Sequence, residues 1–237
     1  INNIETQNEL GNTSKYPRWA VASKFNSETA LTSIINIDLQ VGRTGAVTPV
    51  ARLEPINIGG VIVSNATLHN FDEILRKDIR IGDSVWVKRA GDVIPYISEV
   101  ELSKRSKNSK KYQIPKKCPC GKFSIIRKDG EAVQRCSGDD QCPIQKIESL
   151  KHFVSKKAMN IDGLGEKQIE RFNKLGILKT KIDIYSFYKQ KSIISELDGY
   201  GEKSFKNLIN SIEESKNTNL SRFIFSLGIR YVGENNS

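Results

Sequence analysis

No apolar run in the 237-residue sequence approaches the about 18 residues that a membrane-spanning helix requires, which excludes a bilayer-crossing segment. No secretory signal pattern opens the chain. Cysteine is missing everywhere except within residues 118–142, where four occur. Structural disulfides scatter their cysteines, so this clustering argues for a reducing compartment and a bound metal. Acid is in deficit: 27 Asp and Glu stand against 37 Lys and Arg, a net charge of +10. Such a balance favours a polyanionic partner, nucleic acid before an anionic membrane surface; a merely solvated basic surface is the plainer reading. With 38% apolar and 27% charged residues the composition is that of a globular protein large enough for two or three compact units.

The chain opens INNIETQNEL, without Met at Ile1, and stops at YVGENNS inside a patterned segment, so a piece of a longer protein is expected. Residues 1–30 are polar until PRWAVASKF, where Trp19 and Val21 alternate as in a strand belonging to a larger domain, with Lys24 pointing away from its neighbours. Residues 31–103 read as β. Short alternating runs are broken by Gly-Arg-Thr-Gly, Glu-Pro and Gly-Gly, two more strands flank Ala90-Gly91-Asp92, and HNFDEILRKD is a helical insert. About five strands and one helix fit a small Greek-key barrel of the OB type, a generic β-barrel being the alternative. Val47, Val61, Val63, Val85 and Val87 are assigned to its core, and Trp19 and Trp86 to packing. Residues 104–117 form a basic linker in which Lys104, Arg105, Lys107, Lys110, Lys111, Lys116 and Lys117 are expected to repel one another and stay solvated.

Residues 118–143 carry Cys118, Cys120, Cys136 and Cys142 in CPCG…RCSGDDQC. Two close pairs separated by a loop can close a tetrahedral thiolate site, for which zinc in a purely structural role is the expected ion; a disulfide pair or an empty site is the alternative. Cys-X-Cys is tighter than the usual spacing, and Gly121 directly after it is placed to relieve the turn. His152 is read as a surface or packing residue.

From 144 to 237 the pattern is helical, with Ile147, Leu150, Phe153 and Val154 on one face. IDGLGEKQI and LDGYGEKSF write Asp-Gly-X-Gly-Glu-Lys twice, 36 positions apart, and IRYVGE is a looser third copy. The first glycine of each copy (Gly163, Gly199) allows positive φ; the second (Gly165, Gly201, Gly233) lets a phosphate or another backbone come close. A helix then starts with free N–H groups and its positive dipole end, and Lys167 and Lys203 add charge one turn on, with Arg230 beside the third copy. This is a helix-hairpin-helix layout suited to holding phosphates without reading bases; helices that merely pack against protein are the alternative. The fold class expected is thus multidomain: an OB barrel, a small four-cysteine finger and an all-α hairpin array.

Three stretches carry a family resemblance: LGNTSKYPRWAVASKF; VGRTGAVTPVARLEPINIGGVIVSNATLHN with RIGDSVWVKRAGDVIPYI; and GEAVQRCSGDDQCPIQKIESLKHFVSKKAMNIDGLGEKQI. Together they resemble the bacterial NAD-dependent DNA ligases, in family order over nearly the whole chain. The resemblance implies nick sealing in duplex DNA during replication and repair. A lysine attacks NAD and is adenylated, AMP passes to the 5′-phosphate, and the 3′-hydroxyl displaces it, with Mg²⁺ assisting. The resemblance further implies that the adenylated lysine lies upstream of Ile1, so that no catalytic residue is assigned within the chain. The NAD-specific domain and the BRCT domain are likewise implied to lie outside this sequence, and the chain alone is expected to bind DNA without adenylating itself. By the same resemblance Lys24 touches the AMP α-phosphate. Arg43, Thr44, Gly45 and Arg52 then face DNA near the nick, with Ser64, Asn65, Thr67, Lys88 and Arg89 as further phosphate contacts and His69 as a loop residue. A bacterial cytoplasmic, nucleoid-associated monomer is expected. The rival readings are a non-catalytic zinc-containing DNA-binding module of a repair protein and a zinc-dependent protein-interaction scaffold.

Overall fold

The computed structural model describes residues 1–13, 16–23, 28–89, 94–197 and 200–237. Strands β1 (Glu28–Val41), β2 (Val47–Ile58), β3 (Val61–Thr67), β4 (Ser84–Arg89) and β5 (Tyr96–Val100) close into a barrel in the order β1-β2-β3-β5-β4. Closure depends on β1. Its residues 28–33 pair with β4 and residues 34–41 with β2, and a register shift between Ile34 and Asn36 bends it from one neighbour to the other. The last seam is parallel, β3 to β5 at Thr67 and Tyr96. Alternation puts Val85 and Val87 of β4 fully inside while Trp86 and Lys88 face outward. Helix α2 (Phe71–Arg76) contributes buried Phe71 and Ile74 to the same core, and its first turn is capped by Asn70 Oδ1, which accepts the Glu73 N–H at 2.9 Å. The OB barrel expected from the strand pattern is therefore present. Of the five valines assigned to its core, Val61 is the exception: it is exposed, at the start of β3 directly after the Gly59-Gly60 turn.

Two expectations are corrected. Trp19 and Val21 form no strand among the described residues, and Val21 is 97% exposed. The segment instead begins with helix α1 (Ile4–Leu10), which has no buried residue. Ile1, just before it, is exposed, and its amino group donates to Trp19 O at 3.0 Å, which folds the first residues back along PRW rather than into a sheet. In the basic linker the six lysines are exposed as expected, and the departure is at Arg105 and its neighbours. Arg105 is pinned between Asp78 and Asp83, Arg80 donates to Ser109 O at 2.7 Å, and Tyr112 and Ile114 pack on the barrel core.

Beyond the linker, the hairpin β6 (Ile125–Arg127) and β7 (Gln134–Cys136) leads to α3 (Pro143–Val154). Cys118, Cys136 and Cys142 are part of the same apolar cluster as the barrel core. A second core is purely helical, built from α3, α4 (Glu166–Lys174), α5 (Lys181–Tyr185), α6 (Lys191–Ser195) and α7 (Glu202–Ser215) around Phe172, whose ring meets Phe187 and Tyr200 edge-on at 4.9 and 5.4 Å. As the periodicity predicts, Leu150, Phe153 and Val154 of α3 are buried in it, with Ile147 partly so. Helix α8 (Leu220–Leu227) lies beside α3, where His152 is half-buried: its Nε2 meets Phe225 O at 2.8 Å and its ring the Phe225 ring at 4.8 Å. Burial lowers the pKa of His152, and its packing against Phe225 leaves it outside the group of four cysteine sulfurs. No helix among the described residues is long and apolar enough to cross a membrane.

Candidate metal centre and nucleic-acid interface

The four cysteine sulfurs all lie within 4.8 Å of one another, and none is in a disulfide. Each arrives by a local device. Cys118 and Cys120 sit on a tight turn in which Gly121, at φ 74°, returns its N–H to Cys118 O at 2.9 Å, the relief expected of a glycine after Cys-X-Cys. Cys136 ends β7, and Cys142 is the N-cap of α3 with Pro143 in the first helical turn. Backbone N–H groups point at the sulfurs: Cys120 at Cys118, Lys122 and Phe123 at Cys120, Ile144 and Gln145 at Cys142. Burial pushes the Cys118 and Cys142 thiols up. At Cys120 burial acts the same way but is outweighed by the Lys122 N–H and the neighbouring sulfurs, leaving it at about 7. Tetrahedral thiolate ligation of zinc at about 2.3 Å sets sulfurs roughly 3.8 Å apart, so a contraction of about 1 Å at most completes the site. Four crowded sulfurs, three of them N–H-bonded, fit a metal dication, with no position left over for a substrate.

The four-cysteine finger is strapped to the barrel. Cys136 N–H donates to Gly45 O at 2.9 Å, and Arg135 donates to Thr44 O and Oγ1 at 3.0 and 3.2 Å. Gly45 holds φ 77°, which other residues rarely adopt, and a Cβ there would also stand 2.9 Å from the movable Gln145 Oε1, so the loop beside α3 favours glycine. Arg127 adds a two-pronged ion pair to Asp72 of α2, both contacts at 2.9 Å. Thr44 and Gly45 thus face the finger, while Arg43 remains exposed on the same loop. Elsewhere on the barrel, Arg52 is exposed and held by Asp38 at 2.5 Å and Asn65 at 2.7 Å. Lys88 and Arg89 stand on β4 opposite Thr29 and Glu28. Ser64, Asn65 and His69 are exposed and Thr67 half-buried. Gly91, Asp92, Lys24, Asp198 and Gly199 lie outside the described residues. Ile1, the residue before which the adenylated lysine is expected, meets Trp19 and Gln7, whose Nε2 donates to Ile1 O at 2.7 Å; it offers no catalytic side chain.

At the first bend the predicted positive φ is present, while of the second bend the described residues show the helix start at Gly201. Gly163 adopts φ 90°, and a Cβ there would come 3.3 Å from Leu208 of α7. Asp162 N–H donates to Ser211 Oγ at 2.8 Å, so the first bend packs against the helix that follows the second. Gly165 and Gly201 are the N-caps of α4 and α7; both are exposed, and no side chain caps either helix. The first amide N–H groups of both helices therefore lack a side-chain acceptor, the condition that anion binding at a helix start requires. Lys167 and Lys203 are exposed at the second helical position of each. Glu166 and Glu202 are drawn aside, toward Lys151 at 3.8 Å and Lys191 at 3.5 Å. Burial alone would depress the Lys151 pKa, but Glu148 and Glu170, each at 2.8 Å, raise it, so this lysine stays charged beside the first bend. A cleft of about 760 Å³ runs from Thr48, Asn65 and Thr67 of the barrel to Glu148, Lys151 and Glu166, linking the two surfaces.

The third copy differs. Gly233 is exposed in a turn with no helix following among the described residues. Arg230 is ion-paired to Glu131 of the finger and lies over the Tyr231 ring at 4.7 Å. Arg127, Glu131 and Arg135, which fasten the finger to its neighbours, escape a motif reading; the one signal in the sequence is that Arg135 directly precedes a ligand cysteine.

Residues 31–109 match the family described as the NAD-dependent DNA ligase OB-fold domain. The whole chain aligns with proteins named DNA ligase. That of Pelagibacter ubique (strain HTCC1062) is 51% identical over 244 residues, covering 100% of this chain and 36% of the relative. That of Nitrosococcus oceani is 50% identical over 234 residues, 99% of this chain and 34% of the relative. That of Coxiella burnetii (strain RSA 493 / Nine Mile phase I) is 51% identical, with the same two shares. The chain spans about a third of the length of the curated relatives it matches.

Proposed function

We propose, from the premise that this chain is DNA-ligase sequence whose residues 31–109 belong to the OB-fold domain family of the NAD-dependent enzymes, that it is the duplex-holding part of a nick-sealing ligase. The observation that carries this reading is the pair of uncapped, exposed helix starts at Gly165 and Gly201, each followed by an exposed lysine, on a chain of net charge +10. Amide N–H groups and a cation at the same point bind phosphate oxygens whatever the base sequence. Arg43, Arg52, Lys88 and Arg89 extend the contact along the barrel.

In this reading the sealed bond is made from a 5′-phosphate and a 3′-hydroxyl by way of an enzyme adenylate and a DNA adenylate, with NAD as the AMP donor. The lysine that carries the enzyme adenylate is proposed to precede Ile1. Such transfers depend on positioning and on neutralising charge at the transferred phosphate. Lys24 is proposed to supply a cation at the AMP phosphate. Mg²⁺, when bound, neutralises further phosphate charge. The four cysteines hold zinc, which fixes the finger between the barrel and the helices and takes no part in bond making. The setting is the bacterial cytoplasm at the nucleoid, and the chain acts as a monomer.

The reading is tested by fluorescence anisotropy of a nicked duplex titrated with the chain as salt is raised from about 50 to about 200 mM. Phosphate contacts release counterions, so with roughly six contacts affinity is expected to fall by about three orders of magnitude. Affinity that ignores salt supports a protein scaffold instead. In the full-length gene product the same reading predicts nicotinamide mononucleotide release from NAD, and its absence defeats the catalytic part.

A further inference from the structure

Among the described residues, four buried side-chain atoms find no hydrogen-bond partner: Ser109 Oγ, Gln145 Nε2, Gln168 Oε1 and Arg230 Nε. Two of them, Gln145 Nε2 and Arg230 Nε, are N–H donors on residues that line one cavity of about 230 Å³. The Gln145 side chain belongs to a residue only 5% exposed. Buried donors left without acceptors are rare and costly, and two on residues lining one cavity make it a candidate place for an acceptor, Gln145 also bordering a second cavity with Lys146 and Lys179. The cavity lies where the barrel loop at Arg43 and Thr44, the finger at Lys128 and Arg135, and the C-terminal turn at Arg230 meet. With Glu131, which pairs Arg135 and Arg230 at the rim, counted beside Asp139 and Asp140, these four cations face three acids, an excess of one.

We propose that this cavity is a binding site for a phosphate-class oxyanion. The ligand must accept hydrogen bonds without needing to donate, and the single positive charge in excess favours a negative one; a phosphate group meets both conditions. The volume is below the about 300 Å³ at which pockets begin to take drug-sized ligands, so one small group fills it. The rim already shows the preference: the Glu131 carboxylate sits between Arg135, at 2.9 Å, and Arg230. Three segments remote in sequence supply the walls, so the bound group also ties barrel, finger and C-terminal turn together. The proposal stands on the cavity's donors and goes beyond the reading of the helix starts.

The test is a titration of the whole 237-residue chain with inorganic phosphate, followed by the side-chain ¹⁵N–H resonances of Gln145 and Arg230. Saturable shifts of both are expected. Loss of one donor, in Arg230→Met or in Gln145→Met, should weaken phosphate binding roughly tenfold or more. Arg230→Met stands well apart from the cysteines in sequence, so it remains informative if Gln145→Met disturbs the finger. Non-saturating shifts spread over surface lysines mean an adventitious ion only and overturn the proposal, as does a cavity whose resonances ignore phosphate. Nicked duplex is the second arm. If it competes with phosphate, the bound group belongs to a DNA backbone; if both bind at once, the site takes free phosphate. Duplex binding without a phosphate response sinks this inference alone, whereas phosphate binding without duplex binding sinks the DNA reading alone.

Discussion

Replacing Arg105 by Met should cost about 3–5 kcal/mol of stability, the range measured when one partner of a buried ion pair is removed. Arg105 is 12% exposed and Asp83 1% exposed on the side chain. The guanidinium gives Asp83 two hydrogen bonds, at 2.9 Å to Oδ1 and 2.7 Å to Oδ2, and gives Asp78 two more, at 2.6 Å to its carboxylate and 2.5 Å to its carbonyl. Without it, Asp78 keeps Arg80, but Asp83 keeps one side-chain contact, the Arg80 backbone N–H at 2.8 Å. A carboxylate that deep in the barrel wall then carries an uncompensated charge, which is where the cost arises. Met preserves most of the stem's packing, so the loss reports the charge. The assay is urea unfolding of the whole chain followed by tryptophan fluorescence, Trp86 being half-buried on β4 and bonded to Glu101 at 3.3 Å. Asp83→Asn made on top of Arg105→Met should recover part of the loss, because it removes the stranded charge. A variant within about 0.5 kcal/mol of the parent, the range of ordinary surface substitutions, would refute the reasoning and return Arg105 to a solvated linker.

Gly163→Ala should destabilise by about 1–2 kcal/mol in thermal unfolding, from its φ of 90° and the 3.3 Å approach to Leu208. Gly165→Ser, at φ −65° in open space, should leave stability within a few tenths of a kcal/mol or raise it, yet weaken duplex binding, because the serine oxygen takes the amides a phosphate would use. Cys136→Ser should reduce bound metal below one equivalent by elemental analysis and shift the amide resonances around Gly45, which Cys136 holds directly; full metal content would remove the assignment. Asp78, Glu73 and Glu131 are each held at about 2, chiefly by hydrogen bonds from Arg80, Arg76 and Arg230 respectively. Their folded pKa values lie below the unfolded ones near 4, so their stabilisation is complete above about pH 4 and lost as pH falls toward about 2. The urea midpoint should accordingly decline across that window, and a flat midpoint would contradict the ion pairs.

What was legible in the sequence follows from which interactions are local. Period-two alternation around Val85 and Val87 depends on neighbours in the chain, so the barrel strands could be read, and the cysteine spacing placed all four sulfurs together. The glycine bends were equally visible, since one positive-φ residue and an uncapped helix start are local facts. Long-range partners were not. Nothing near Arg105 announces Asp83, and nothing near Arg230 announces Glu131, 99 positions earlier. Both arginines were assigned by charge alone, one to solvent and one to DNA, yet each has a carboxylate partner from a different part of the chain. Trp19 and Val21 failed for the opposite reason: alternation is a local signal, but a strand needs a neighbour, and among the described residues Trp19 O meets only the amino group of Ile1.

The central claim is that the helix starts at Gly165 and Gly201 grip DNA phosphates. It is tested most directly by the salt dependence of nicked-duplex binding for the parent chain and for Lys167→Glu with Lys203→Glu. If each lysine neutralises one phosphate, the double variant should bind more weakly on every duplex sequence, with a slope of log affinity against log salt shallower by about 1.8. Equal affinity at low salt and an unchanged slope would show that these helix ends do not face the DNA.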